Sequence, residues 1–292
     1  MRMSKEYGCQ SMVTRLKRVL VKRPDEHFVV KDYAKWHYLD SPNLKEARRE
    51  HDVFVKILKK AGAEVLLHPE VQPAHADSIF TYDPAIVIEA GAIILRMGKL
   101  LRKGEEAPMK RRFEELGIPI HYTVSGEATV EGGDLLWLNE GSLAVGQGFR
   151  TNAEGLSQIR EALLPLGIDV TPVELPYFGG PEACLHLMSL ISFVNSDLAV
   201  AYMPLLPVPF WRLLRELGVT LLEVPEAEFN TMGTNVLALS PGKALIVEGN
   251  PVTEGLLRDA GCEVITYKGV EISLKTEGGP TCLTRPILRS KS

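Results

Sequence analysis

The 292-residue chain is short of several things, and each shortage closes off a class of protein. Nowhere do about 18 apolar residues run together, so no membrane-spanning helix is encoded. Basic side chains do not dominate: 33 Lys and Arg stand against 37 Asp and Glu, a formal charge of −4. A protein built mainly to neutralise phosphates carries the opposite balance, so no nucleic-acid partner is expected. Cysteine is scarce, with Cys9, Cys184, Cys262 and Cys282 in no CxxC spacing, and we read all four as reduced thiols. GxGxxG is absent, and GQGFRTN sits on a strand end without the βα context of a phosphate loop. Residues 1–10 are polar and lack the apolar stretch of a signal peptide, so the expected compartment is the cytoplasm. What remains is an ordinary globular composition, 45% hydrophobic and 24% charged.

Within it one unit recurs. LKKAGAEVLLH, FEELGIPIHYT, LLPLGIDVTPV, LRELGVTLLEV and LRDAGCEVITY each read as a helix end, a glycine and a short strand. Their glycines, Gly62, Gly117, Gly167, Gly218 and Gly261, are 55, 50, 51 and 43 residues apart by subtraction. Such a glycine ends a helix because it alone takes the left-handed conformation cheaply. Ahead of these helices come pairs of apolar runs around a turn: AIVIEAGAIIL, LLWLNEGSLAVG, LISFVNSDLAVA and NVLALSPGKALIV. The unit is strand, strand, helix, strand. The fifth copy is split, its strands supplied by CLTRPIL at one end of the chain and LKRVLVKRP at the other. This predicts a single α/β domain over residues 1–292, a five-bladed α/β propeller of ββαβ modules around a pseudo-fivefold axis. Residues 31–43 (KDYAKWHYLDSPN) read either as a packed loop or as a lid over the ring centre.

The polar residues that stand out fall at matching places in the modules. Asp77 and Asp83 precede the first complete hairpin, Glu131 and Asp134 the second, His186 the third, and Asn230 and Asn235 the fourth. Cys282 opens the C-terminal strand after Glu-Gly-Gly-Pro. In a closed ring these positions converge. Carboxylates to hold a cation, a thiolate to attack and an imidazole to move protons are what reaction at a planar cationic carbon requires. Cys282 and His186 lack a second cysteine or histidine at ligand spacing, so no metal is expected. Cys9, Cys184 and Cys262 read as small buried hydrophobes.

EGGD, the GQGFRTN segment, HL before an apolar strand, and a C-terminal GGPTC together resemble the guanidine-modifying superfamily. It contains arginine deiminases, dimethylargininases and amidinotransferases on a five-bladed α/β propeller, and the resemblance runs from RVLVKRP to GGPTCLTRP. It implies Cys282 as nucleophile, His186 as general acid and base, and Glu131 as the carboxylate orienting histidine and guanidinium. It implies Asp83 and Asp77 as substrate-binding aspartates, and Arg102 and Arg150 as arginines for a substrate carboxylate. Tyr82 stands where dimethylargininases have glutamate and deiminases arginine, and Met188 replaces the lysine or aspartate that follows HL. With one carboxylate fewer, the site suits an alkylated guanidinium, which has fewer N–H donors to satisfy. The implied activity is hydrolysis of a guanidino C–N bond through a thiouronium on cysteine, dimethylargininase first. Arginine deiminase or dihydrolase, an amidinotransferase, and a non-catalytic binding propeller are the alternatives. The partner is a small guanidino substrate, no metal or organic cofactor is needed, and a homodimer is compatible with the reading.

Overall fold

The five repeat glycines have φ between 70° and 93° in the structure, a computed structural model describing residues 5–181, 183 and 185–291. Cys184 lies outside the described residues. Each glycine follows a helix, Leu44–Lys60, Glu106–Glu115, Ala153–Leu163 with the 3₁₀ turn Leu164–Leu166, Val208–Glu216 and Pro251–Asp259. None of the helices is long and apolar enough to cross a membrane, among the described residues.

Five three-stranded sheets result. Ala85–Ile88, Gly91–Ile94 and Ile120–Thr123 form the first, and Leu135–Asn139, Ser142–Gln147 and Asp169–Glu174 the second. Ile191–Asn195, Leu198–Ala201 and Thr220–Glu223 form the third, and Leu237–Ser240, Lys243–Val247 and Glu263–Tyr267 the fourth. In each, the hairpin is antiparallel and the third strand, returning through the helix, lies parallel to the second. The fifth sheet has the same pattern from both ends of the chain: Arg285–Arg289 antiparallel to Leu16–Val21, which runs parallel to Glu64–Leu67.

Neighbouring modules touch in sequence around a ring. A bridge between Arg96 and Val130 joins the first to the second, and Leu187–Leu190 packs on Leu135–Asn139. Ile191–Asn195 then meets Leu237–Ser240, that strand meets Leu16–Val21, and Arg285–Arg289 meets Ala85–Ile88. The α/β propeller of five ββαβ modules is therefore what the chain builds. Ile287, fully buried among Leu20, Ala85 and Val87, sits at the closing seam. Ile287→Ala should cost about 2–5 kcal/mol in chemical denaturation. An unchanged midpoint would show that the seam carries no stability.

Candidate active site

One polar side chain from each module stands just ahead of that module's first strand. Asp83 precedes Ala85–Ile88, Glu131 precedes Leu135–Asn139, and His186 precedes Ile191–Asn195. Asn235 precedes Leu237–Ser240, and Cys282 precedes Arg285–Arg289. The repeat places all five at the same end of their sheets, and closure brings four of them, with Glu131 behind, around one space.

Glycines make that convergence possible. A Cβ at Gly133 would lie 2.4 Å from His186 Nδ1, and one at Gly132 2.3 Å from the Tyr82 carbonyl oxygen. A Cβ at Gly278 would meet the Phe80 ring at 2.2 Å, and one at Gly279 the Asn235 amide carbon at 2.4 Å. The glycines of EGGD and GGPTC thus let the backbone approach the neighbouring module closely.

Glu131 is wholly buried and is the hub of the site. Its Oε1 accepts the backbone N–H of Gly98 at 2.9 Å and of Lys99 at 2.8 Å. Its Oε2 lies 2.7 Å from His186 Nε2 and 3.2 Å from Arg150 Nη1. Burial alone would raise this carboxyl. The His186 hydrogen bond and the Arg150, His186 and Arg102 charges overcome it and hold Glu131 well below the ordinary carboxylate range. Asp134, also buried, does not reach the cavity: it accepts Thr151 Oγ1 at 2.6 Å and the Leu187 N–H at 2.9 Å, anchoring the turn that carries His186.

Cys282 is half-buried, and Asn235 Nδ2 donates to its Sγ at 3.2 Å while Asn235 Oδ1 accepts the Thr281 N–H at 3.1 Å. Asp83 Oδ1 accepts the Gly133 N–H at 2.9 Å, and Arg102 Nη1 donates to Oδ2. Arg102 is buried, and its Nε and Nη2 donate to Glu105, with Nη2 also donating to the Phe80 carbonyl at 2.9 Å. These bonds occupy most of the Arg102 N–H groups. Asp77 accepts Tyr38 Oη and Lys99 Nζ, each at 2.7 Å. Tyr82 is buried with the Arg285 guanidinium 3.8 Å from its ring centre, a cation–π contact that accounts for an aromatic at this position. Cys9 and Cys262 are buried, as expected of packing thiols.

Two chambers meet at Asp83, His186 and Cys282. The smaller, about 40 Å³, is bordered by Asp77, Lys99, Arg102, Arg150 and Glu277. The larger, about 530 Å³, is walled mainly by aromatic, thioether and small side chains. Residues 31–43 border both: Trp36 the smaller, Ala34 and Tyr38 the larger, and His37 each of them. They have the position of a roof, with Tyr38 buried and Tyr33 and Leu39 exposed.

Asp83, Glu131 and His186 also offer ligand atoms within 4.8 Å of one another. The set fits a guanidinium better than a metal ion. A divalent ion would stand beside two buried arginines at twice the charge, and would have to strip His186 from Glu131. Lys99, Glu105, Tyr38 and Glu277 were not singled out in the sequence. Of these only Glu105, three residues after Arg102, carried a spacing signal.

A sequence model of the family described as N,N dimethylarginine dimethylhydrolase, eukaryotic, matches residues 31–289. The chain is 32% identical over 240 residues to the N(G),N(G)-dimethylarginine dimethylaminohydrolase of Streptomyces coelicolor, covering 82% of this chain and 84% of that one. It is 30% identical over 287 residues to the uncharacterized protein YkgA of Bacillus subtilis, covering 97% and 96%. A mutant dimethylarginine dimethylaminohydrolase from Pseudomonas aeruginosa, solved with citrulline, shares the fold with a TM-score of 0.77 at 22% identity, covering 93% of this chain and 99% of that one. The chain belongs to the dimethylarginine dimethylaminohydrolase family, within the guanidine-modifying, or pentein, superfamily of guanidino hydrolases and amidinotransferases.

Proposed function

We propose that the protein hydrolyses the guanidino C–N bond of an Nω-alkylated arginine, dimethylarginine being the reference substrate, to citrulline and the free amine. The observation that carries this reading is the convergence of Cys282 and Asp83 on His186, whose Nε2 lies 2.7 Å from Glu131 Oε2. Asp83 pairs with the guanidinium, and buried Glu131 supports His186 from behind. The Cys282 thiolate adds to the central carbon, and His186 protonates the departing amine, so that the C–N bond breaks and an S-alkylthiouronium remains. His186 then takes a proton from water, hydroxide adds to the same carbon, and the C–S bond breaks to release the ureido product and the thiolate. No acidic side chain stands at Met188, which favours an alkylated nitrogen over one that presents two N–H donors.

The amino-acid end of the substrate carries one charge of each sign. That matches the smaller chamber, where Asp77 and Glu277 stand with Lys99, Arg102 and Arg150. At about 40 Å³ that chamber is narrow, with Trp36 and His37 on its border. Incubation with dimethylarginine, arginine and agmatine, assaying ureido product and amine, tests the reading. Citrulline with dimethylamine, at a kcat/KM at least tenfold above that for arginine, is expected. Ammonia released from arginine at the higher kcat/KM would make the protein a deiminase instead.

A further inference from the structure

We propose that the larger chamber is a binding site for the departing nitrogen's substituent, and that the preferred substrates are Nω-alkyl or Nω-arylalkyl arginines with groups larger than two methyls. This rests on the reading above.

A substituted guanidine has two arms on its central carbon, and the site has two chambers that adjoin at Asp83, His186 and Cys282. The zwitterionic arm belongs with charges. Burying it in an apolar space without compensating groups carries a heavy desolvation cost. Among the described residues lining the larger chamber there is no lysine and no arginine. Its walls include Tyr82, Phe178, Met188, Phe229 and Met232. The arm that leaves as an amine therefore faces this side.

The volume then limits what that arm is. About 530 Å³ is the size of a pocket for a drug-sized ligand, far more than two methyl groups fill. Thioethers and aromatics suit an apolar group of variable shape. The backbone adds a sign that the cavity is built for a ligand. Three described non-glycine residues have positive φ, Met232 at 67° on the wall of this chamber, and His37 at 64° and Glu277 at 57° where it adjoins the smaller one. Such conformations are costly and persist where the surroundings impose them, commonly at ligand sites. The chemistry is unchanged. The C–N bond to the substituted nitrogen breaks, His186 supplies its proton, and a primary alkylamine leaves where dimethylamine otherwise would.

The test compares kcat/KM for Nω,Nω-dimethyl-, Nω-butyl-, Nω-hexyl- and Nω-benzyl-arginine, identifying the released amine by mass spectrometry. Each buried methylene is worth roughly fourfold, so Nω-hexylarginine should exceed dimethylarginine by at least tenfold. Phe178, 36% exposed and edge-on to Phe229 at 5.8 Å, can take a charge without disturbing the core. Phe178→Glu should lower kcat/KM for the hexyl substrate at least tenfold more than for the dimethyl one. If dimethylarginine is turned over and the bulkier substrates are not, the subsite is wrong and the hydrolase reading stands. If no guanidine gives a ureido product, the hydrolase reading itself has failed. If added hexylamine with arginine yields hexylguanidine product, the chamber holds an acceptor and the proposal is overturned.

Discussion

Cys282→Ser should lower turnover by at least roughly four orders of magnitude while leaving the melting temperature within about a degree or two of the parent. Loss of activity follows from chemistry, since a thiolate is accessible near neutral pH and an alkoxide is not. Retention of the fold follows from the contacts. The residue is half-buried, and Asn235 Nδ2, which donates to its sulfur at 3.2 Å, can donate as readily to a hydroxyl oxygen. Acid-quenched mass spectrometry during turnover should show the parent enzyme carrying the thiouronium on Cys282 and the variant carrying nothing. Near-parental turnover in the serine variant would remove the covalent step, and with it the assignment of Cys282.

What could be read from the chain without its structure divides along physical lines. Helix ends and hairpins are local, so the five glycines and four turn-linked apolar pairs announced the modules. The split fifth module could be read because the strand it lacked stood alone at the other terminus. Cys282, His186 and Glu131 could be placed because each precedes a strand in a repeated unit, and equivalent positions in a ring face one another. The partners of these residues could not. Gly98 and Lys99 reach Glu131 from the neighbouring module with their backbone N–H groups, which carry no residue-type signal at all. Arg102 was readable as a charge but not as one held by Asp83 and Glu105, since that depends on burial. The division of the cavity depends on how residues 31–43 fold over it, and a segment with no hydrophobic period reads as packed loop or lid alike.

Glu131→Gln should cut kcat by roughly three to four orders of magnitude, comparable to losing the orienting carboxylate of a catalytic triad. All the described partners of the carboxylate can act as donors: two backbone N–H groups on Oε1, and His186 with Arg150 on Oε2. An amide of the same size must turn its own N–H₂ toward one of these pairs, so either the backbone cradle or the His186–Arg150 side loses its acceptor. The variant also removes the charge that Arg150 Nη1 meets at 3.2 Å in the buried site, which should cost about 1.5–3 kcal/mol. The pH dependence separates this from a simple packing defect. Because the folded protein holds Glu131 below the ordinary carboxylate value of 4.5, the charged form contributes stability that is complete above that pH. The contribution is lost as pH falls through the ordinary value toward the lower one. The stability gap between parent and variant should therefore be widest at neutral pH and narrow steadily below pH 4.5. A gap of the same size at pH 3 and pH 7 would mean that the Glu131 charge contributes nothing to the fold, and that its hold on His186 is steric alone.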